Sequence, residues 1–288
     1  MYHSLYILLE DIFSLNEVTM AAALVKQNKL FIDQVTEDVL ILILSFCPGT
    51  FLTNTAPLVS RKWKELCQRQ TLWRIKCQRE GVTVPDKLPM EYRDYKLLVF
   101  KKVFGRNLLK NWDTMDGVTH RDRLFGGVYY VKIEESNSKE RYGTKPLSDL
   151  DLGTTICWAL SHGSLGMLSQ EVDLIEEGLT PNVLDNLQPS ITVSAWTASR
   201  SDCGSEYIIH VSLLSTSGVR SKPVQSFKET RNVSSWGNNS WVKISHTFRN
   251  YGRGVRSIKF SHGGKCTKRW SGNYGPKLAV PSVRVDID

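Results

Sequence analysis

Hydrophobic residues follow two different periods along the chain, a helical one in its first part and a two-residue one in the rest. We expect the first helix to begin after Thr36, because its side-chain oxygen can accept a hydrogen bond from a free backbone N–H group. The carboxylates of Glu37 and Asp38, in the first turn, then interact favourably with the positive end of the helix dipole. From Val39 to Phe46 nearly every side of the helix is apolar. The run is too short to cross a bilayer, which takes about 20 apolar residues. Its apolar side chains must therefore be covered by protein.

Two further helices are predicted after the first, which we expect to end at Pro48 and Gly49. The second has apolar residues at helical spacing, namely Val59, Trp63, Leu66 and Cys67. The third opens at Leu72 and Trp73 and ends near Gly81. An ordinary small helical bundle with its tryptophans in the core would fit this pattern. We favour docking onto another protein, because residues 30–77 present more apolar surface than so short a segment can bury alone.

A different pattern follows a connector with two prolines and a helical stretch over Tyr92–Val103. Short runs rich in β-formers are separated by Gly, Ser, Asn and Pro, at residues 127–135, 154–161, 190–196, 205–214, 241–248, 255–260 and 282–288. Several such runs at this spacing predict an antiparallel sandwich whose two sheets cover each other's apolar faces.

Composition and charge narrow the class of protein. With 288 residues, 41% of them apolar, the chain suits two domains and can bury a sizeable core. The formal net charge is +8, and Thr230 to Val285 contains no Asp or Glu, so this segment could bind nucleic-acid phosphates. We favour the alternative that its cations occupy the solvent-exposed positions of strands. Lys243 and Arg249 fit this, because Ile244 and Phe248 lie on the opposite face of the same strand. No nucleic-acid-binding motif accompanies the charge.

The cysteines and the N-terminus bear on the compartment. The six cysteines form no CxxC pair, at Cys47, Cys67, Cys77, Cys157, Cys203 and Cys266. Three of them lie in or beside apolar helical runs, where free thiols pack as small hydrophobes, and this favours a reducing, cytoplasmic location. The N-terminus lacks the basic region of a signal peptide, and we expect no membrane span. Residues 1–28 are expected to be an ill-ordered extension, with Met20 as an alternative start.

Candidate catalytic groups are hard to find in the sequence. The histidines belong to no HExxH motif, the cysteines to no zinc pattern, and no phosphate-binding P-loop is present. The stretch Gly163-Ser164-Leu165-Gly166 lacks the residue that a nucleophile elbow requires between the first glycine and the serine. We therefore expect neither metal nor cofactor, and no enzymatic activity.

The helical segment contains ordered motifs: Glu37-Asp38-Val39-Leu40, Leu44-Ser45-Phe46-Cys47-Pro48, Leu58-Val59-Ser60-Arg61-Lys62-Trp63 and Thr71-Leu72-Trp73. Residues 29–78 thereby resemble an F-box, a three-helix module that binds a Skp-type adaptor. At Gln34-Val35 the chain departs from the family, which usually has Leu-Pro there. The resemblance implies an adaptor surface formed by Val39, Leu40, Ile43, Leu44, Pro48, Leu58, Val59, Trp63, Leu72 and Trp73.

A second set of motifs covers nearly all of residues 101–288. Among them are Asn107-Leu108-Leu109-Lys110-Asn111, Ala198-Ser199-Arg200-Ser201-Asp202-Cys203-Gly204, Ser245-His246-Thr247-Phe248, His262-Gly263-Gly264 and Trp270-Ser271-Gly272-Asn273-Tyr274-Gly275-Pro276. They resemble the F-box-associated domain of F-box-only proteins that recognise the sugars of N-linked glycoproteins. The expected fold class is α+β with several domains: an extension at 1–28, the F-box at 29–78, a helical linker at 79–104 and a jelly-roll-like or galactose-binding-like antiparallel β-sandwich at 105–288.

Together the two resemblances imply the substrate-recognition subunit of an SCF-type E3 ubiquitin ligase. Its F-box would hold a Skp-type adaptor and, through it, a cullin scaffold, while the second domain would present a protein target, N-glycosylated targets of ER-associated degradation included. The leading alternative is a stand-alone lectin-like or anion-binding module that assembles no ligase.

The resemblance also implies a sugar site. Trp270 would stack on the apolar face of a sugar, and Asp202 matches an acidic sugar-contacting loop of the family. The alternatives are a core tryptophan and an ordinary turn aspartate. Two family aromatics are replaced, one by Arg269, with Ser271 also differing, and the other by Gly163. A rival site would use Arg269 and Lys268 to bind an anionic sugar or an acidic peptide.

Overall fold

The computed structural model describes residues 35–113, 123–125, 131–136, 144–160, 165–216, 221–237, 239–268 and 274–288. The chain forms two compact units. A helical unit comprises the residues up to Val84 and Arg93–Lys102, and a β unit comprises Pro85–Tyr92 and Val103–Asp288. Within the described residues, no helix combines the length and the apolar character needed to cross a membrane. The predicted extension at 1–28 lies outside the described residues.

Between residues 35 and 102, where the structure describes this unit, it contains five α-helices. They are α1 Glu37–Phe46, α2 Gly49–Asn54, α3 Arg61–Gln68, α4 Gln70–Arg79 and α5 Tyr95–Lys101. The three helices predicted between residues 36 and 81 are α1, α3 and α4, and all three are confirmed. The predicted stop at Pro48 is confirmed as the end of α1, but Gly49 opens α2 instead of a loop. Proline is tolerated at the start of a helix, where its missing N–H group would lack a partner in any case.

Helix starts in this unit depend on different side chains. Thr36 precedes α1 as predicted, but the predicted side-chain cap is wrong, because Thr36 makes no capping hydrogen bond through its side chain. Ser60 does cap α3, with its hydroxyl accepting from the backbone N–H of Trp63 at 3.2 Å. Asp94 caps α5 in the same way through the N–H of Leu97. These caps fix where α3 and α5 begin.

The β unit is an antiparallel sandwich of two five-stranded sheets, and the predicted fold class is confirmed. One sheet has the order β1-β4-β9-β6-β7 and the other β2-β3-β10-β5-β8. The strands are β1 Arg123–Phe125, β2 Val131–Glu135, β3 Ile156–Leu160, β4 Gly166–Asp173, β5 Ser190–Ala198, β6 Ser205–Leu214, β7 Pro223–Val233, β8 Val242–Phe248, β9 Ser257–Cys266 and β10 Lys277–Asp286. All seven predicted runs overlap strands, whereas β1, β4 and β7 fall outside them.

Alternation along the strands builds the core between the sheets. On β6 the side chains of Tyr207, Ile209, Val211 and Leu213 are buried on one face, as alternation along a strand requires. The exposed Lys243 and Arg249 alternate with the buried Ile244 and Phe248 on and beside β8. The solvent-exposed positions predicted for these two cations are thus confirmed.

Candidate binding sites

The helical unit leaves large apolar side chains in solvent. On α1, Leu42 is 49% exposed, and Val39 lies three residues earlier on the same helix face and is also exposed. After α2, Leu58 is 82% exposed and Val59 is exposed as well. Exposed large apolar side chains thus lie at two places on this small unit, and where such side chains are contiguous they form a surface that binds another protein.

The predicted adaptor residues divide between this surface and the core. Leu40, Leu44, Trp63, Leu72 and Trp73 are buried inside the helical unit. Ile43 is half-buried, and the remaining ones are exposed, namely Val39, Pro48, Leu58 and Val59. Adaptor binding by these residues stays a prediction. Leu42 escaped the sequence prediction, although its spacing of three from Val39 was a usable signal.

A buried lysine fixes the end of α1 in the core of this unit. Lys76 of α4 donates from Nζ to the carbonyl oxygen of Cys47 at 2.5 Å and of Ser45 at 3.5 Å, and its Nζ lies 2.7 Å from Glu80 Oε1. A cation here satisfies carbonyl groups that a helix leaves unpaired at its C-terminus. Trp73 of α4 donates from Nε1 to the carbonyl of Cys67 at 2.8 Å. These bonds hold α1 and α3 against α4.

In the β unit, three loops meet at Gly204. These are residues 199–204 between β5 and β6, residues 234–237 after β7, and residues 267–268 after β9; we call them the three-loop end. Thr267 donates its backbone N–H to the carbonyl of Gly204 at 2.8 Å. A Cβ atom at Gly204 would lie 2.4 Å from Thr267 Oγ1 and 3.0 Å from the carbonyl oxygen of Val233. Only glycine allows so close an approach.

A disulfide also ties the first of these loops to the last residue of β9. Cys203 and Cys266 are bonded with their Cα atoms 6.8 Å apart, although 63 residues separate them in sequence. Pairing of Ser205 with Cys266 across β6 and β9 brings them together. The other four cysteines, Cys47, Cys67, Cys77 and Cys157, are free and buried. The cysteine spacing gave no sign of this bridge.

Charged groups of the three-loop end are bound to one another. Arg200 forms a bidentate ion pair with Asp202, in which Nε donates to Oδ1 at 3.0 Å and Nη2 donates to Oδ2 at 3.1 Å. The guanidinium of Arg200 also lies 4.8 Å from the centre of the Tyr274 ring. Lys268 Nζ donates to the carbonyl oxygen of Asp202 at 3.0 Å. Asp202, a predicted sugar-contacting residue, is only 7% exposed, so most of its carboxylate is committed to Arg200.

An exposed tryptophan lies on the same end of the sandwich. Trp236 is 70% exposed, and its backbone N–H donates to the carbonyl of Ser201. The sequence prediction passed over this residue, which lies in a short polar loop without periodicity. The predicted stacking residue Trp270 and the substituted positions Gly163, Arg269 and Ser271 lie outside the described residues.

Four of the eleven Lys and Arg residues of the basic 230–285 segment are paired with carboxylates from elsewhere in the chain. Arg256 forms a bidentate pair with Asp185, both distances being 2.8 Å, and Lys277 Nζ lies 2.5 Å from Glu134 Oε1. The other pairs are Lys265 with Glu206 and Arg249 with Asp288. Paired cations are poorly suited to bind phosphates, so this geometry gives the nucleic-acid alternative no support.

Several titratable groups in the described residues are buried in the core, and burial holds them in their uncharged forms. Burial raises the pKa of the Cys47, Cys67 and Cys77 thiols to about 11, so they stay protonated near neutral pH. Burial lowers the pKa of His262 to about 3, and its Nδ1 lies 3.3 Å from the Tyr207 hydroxyl inside the core. Across the described ranges, no cluster of three or more His, Cys, Asp or Glu side chains could hold a metal ion.

Comparison with solved structures yields distant likenesses to β-sandwich modules. A carbohydrate-binding module, TmCBM61 in complex with β-1,4-galactotriose, matches 63% of this chain and 99% of its own, with 16% identity and a TM-score of 0.37. A xylan-binding domain from Paenibacillus barcinonensis Xyn10C matches 64% of this chain and 97% of its own, with 13% identity and a TM-score of 0.34. Scores this low support no shared function.

Comparison with protein sequences gives a much stronger result. The model of the F-box associated region matches residues 99–285. Human F-box only protein 6 is 32% identical over 88% of this chain and 84% of its own length. Human F-box only protein 44 is 31% identical over 88% of this chain and 96% of its own. The chain therefore belongs to the F-box proteins that have a C-terminal F-box-associated domain.

Proposed function

We propose that this chain is the substrate-recognition subunit of an SCF-type E3 ubiquitin ligase. The observation behind this proposal is the apolar surface of the helical unit, where Leu42 and Leu58 are 49% and 82% exposed in a chain of the F-box family. Burying such side chains against a Skp-type adaptor releases about 25 cal/mol for each Å² of apolar surface. The adaptor would in turn bind the cullin scaffold.

The chain contributes binding and no chemistry in this proposal. Ubiquitin transfer belongs to other subunits of such a ligase, so the recognition subunit needs neither a nucleophile nor a metal. The buried, protonated thiols of Cys47, Cys67 and Cys77 agree with this role, because a thiol reacts as its thiolate. We place the complex in the cytoplasm, which fits the four free buried cysteines but not the Cys203–Cys266 bridge. Misfolded glycoproteins of ER-associated degradation would be among its targets.

The target is bound, we propose, at the three-loop end of the β-sandwich. Loops on a rigid sheet scaffold are the usual place for recognition residues. Here the Cys203–Cys266 disulfide ties residues 199–204 to the end of β9. The Thr267 to Gly204 hydrogen bond ties the same loop to residues 267–268, and the Trp236 to Ser201 hydrogen bond ties it to residues 234–237. Asp202 and Trp270 remain the proposed glycan-binding residues, with Asp202 held by Arg200.

Co-purification with a Skp-type adaptor and a cullin scaffold tests the ligase proposal. We expect the full chain to retain both proteins at micromolar concentration. Leu42→Asp and Leu58→Asp should each lose them, because a carboxylate would have to be desolvated at the interface. Val224→Asp on the sandwich edge strand β7 is the matched control, since Val224 is also an exposed aliphatic residue. If the wild-type chain retains no adaptor, the ligase proposal fails.

An array of N-glycans tests the target half of the proposal separately. Binding to glycans that contain the N-linked core, by a chain that also retains the adaptor, would support both halves. Glycan binding without adaptor binding would instead favour the stand-alone lectin-like module. A folded chain that binds the adaptor and no glycan would restrict target recognition to protein surfaces.

A further inference from the structure

Strand β7 forms a long edge of the sandwich. Among the described strands it is the last of its sheet and pairs with β6 on one side only. It has 11 residues, whereas the other edge strands, β1, β2 and β8, have 3, 5 and 7. Proteins often keep edge strands short, because the free N–H and C=O groups of a long edge can pair with another chain. β7 therefore offers a surface for an additional strand.

β7 is held firmly as a strand, although most of its side chains are exposed. From Gln225 to Val233 its pairing with β6 continues without a shift of register. The Phe227 ring is stacked on the ring of His246 in β8, with the ring centres 4.4 Å apart and the planes at 3°. This contact joins β7 to the opposite sheet. A strand fixed in this way loses little freedom when another strand pairs with it.

The charges of β7 restrict which strand can pair with it. Lys228, Glu229 and Arg231 are its charged residues. Glu229 and Arg231 lie on the face that is turned toward the other sheet, because they pair with Ile209 and Tyr207, which are buried on that face of β6. Neither has an ion-pair partner among the described residues. Charges on this face of an edge hinder pairing with another sheet, unless the incoming strand has opposite charges at the matching positions.

A second copy of β7 has the opposite charges at the matching positions. When two identical strands pair antiparallel about a two-fold axis, one residue faces its own copy and its neighbours face each other crosswise. With Thr230 on the axis, Glu229 of each copy faces Arg231 of the other, and Phe227 faces Val233. An axis at any of the three charged residues would place like charges opposite each other. No other axis within β7 brings opposite charges together.

We propose that the chain forms an antiparallel homodimer through the free edge of β7, with Thr230 on the two-fold axis. The β7 sheets of the two copies join into one continuous sheet, with two Glu229–Arg231 ion pairs and two Phe227–Val233 contacts across the junction. The dimer is weak, because a single strand edge buries less surface than a standard protein interface. It presents two target sites, which raises the apparent affinity for a target with two recognition signals.

Sedimentation equilibrium of the full chain, at concentrations up to about 1 mM, tests the proposal. We expect wild type to dimerise. Glu229→Arg and Arg231→Glu should each weaken dimerisation at least about tenfold, because each places like charges opposite each other at two symmetric positions. Lys228→Glu is the matched control and should dimerise like wild type, because in this register residue 228 faces the uncharged Asn232.

Mixing the two charge variants separates loss of pairing from loss of folding. In a one-to-one mixture each cross-strand pair again joins an arginine to a glutamate, so we expect dimers that contain one copy of each variant. The double variant Glu229→Arg, Arg231→Glu should dimerise with itself as wild type does.

Three results would overturn the proposed dimer. They are a wild-type chain that stays monomeric up to about 1 mM, single variants that dimerise as well as wild type, and single variants that do not dimerise when mixed. The proposal goes beyond the ligase function and does not depend on it, because adaptor co-purification and the glycan array involve neither Glu229 nor Arg231.

Discussion

The helical unit and the β-sandwich differ in what they expose. The helical unit keeps tryptophans and a lysine inside and leaves aliphatic side chains such as Leu42 and Leu58 in solvent. In the described part of the three-loop end, the large aromatic Trp236 is exposed, on a loop that also bonds to the segment of the paired Arg200 and Asp202. Aliphatic surface suits a large, lasting protein interface, whereas a single ring among hydrogen-bonding groups suits a small polar ligand. The proposed function matches this difference, with an adaptor at the helical unit and a target at the sandwich.

The largest effect on stability should come from substituting a buried residue of α1, compared with an exposed residue of the same helix. Leu44 is buried and Leu42 is half exposed on the same helix. Leu44→Asp places an unpaired carboxylate in the core, so we expect a loss of more than about 4 kcal/mol and an unfolded helical unit. Leu42→Asp should change stability by about 0.5 kcal/mol or less. Thermal melts followed by circular dichroism measure both. Equal stability of the two variants would mean that Leu44 is not a core residue.

Removing the buried lysine should have the next largest effect. Lys76→Met takes away the donor to the carbonyls of Cys47 and Ser45 and leaves Glu80 without this partner. Unsatisfied buried groups cost about 1–3 kcal/mol, so we expect a loss of about 2 kcal/mol in urea unfolding. Lys64→Met, on the exposed side of α3, is the matched control and should be neutral. If Lys76→Met left the free energy of unfolding unchanged, water would have to replace the lysine ammonium as the donor to these carbonyls.

In the sandwich, a buried histidine should make stability depend on pH. The pKa of His262 is about 3 when folded, because burial disfavours its charged form, and an unfolded histidine has a pKa of about 6.5. Between these values the unfolded chain binds a proton that the folded chain does not. Stability from this residue is complete above about pH 6.5 and falls by about 1.4 kcal/mol for each pH unit below it.

The comparison variant for this effect is His262→Gln, which does not titrate and can still hydrogen-bond the Tyr207 hydroxyl. Urea unfolding at pH 7, 6 and 5 should show a steeper loss for wild type than for the variant. Parallel curves would mean that His262 is charged or exposed in the folded protein.

The smallest effect concerns an ion pair at the surface of the sandwich. The hydrogen bonds from Arg256, and then that from the Gly254 N–H, hold the pKa of Asp185 at about 2, below its ordinary value of 3.8. The resulting stabilisation is present above about pH 4 and is lost as pH falls through about 2. Partial exposure screens it, so Asp185→Asn should cost about 1 kcal/mol at pH 7. The cost should vanish near pH 2, and Asp149→Asn, at an exposed residue, should cost nothing at either pH.

Periodicity was enough to predict most of the fold. It placed α1, α3, α4 and the main strands, because their buried faces repeat at the helical or the two-residue spacing. It missed β7, an edge strand of PVQSFKETRNV that is largely exposed on both faces and so lacks alternation. It also missed α2, since Pro48 and Gly49 are equally typical of a loop.

The candidate sites were less predictable, because they depend on contacts between distant residues. The Cys203–Cys266 bridge follows from strand register across 63 residues, which no local spacing reveals. Trp236 lies in a turn without periodicity, and only the contact with Ser201 places it at the three-loop end. Family motifs pointed to Asp202, but its pairing with Arg200 depends on how the loop folds.

One bridging experiment tests most directly whether the two units bind two partners. A Skp-type adaptor is immobilised, the full chain is added, and capture of a protein bearing the N-glycan core is measured. We predict that the wild-type chain captures the glycoprotein. With Leu42→Asp neither the chain nor the glycoprotein should be retained. With Trp270→Ala the chain should be retained and should capture no glycoprotein. Glycoprotein captured equally by wild type and Trp270→Ala, or a wild-type chain that never binds the adaptor, would contradict the account.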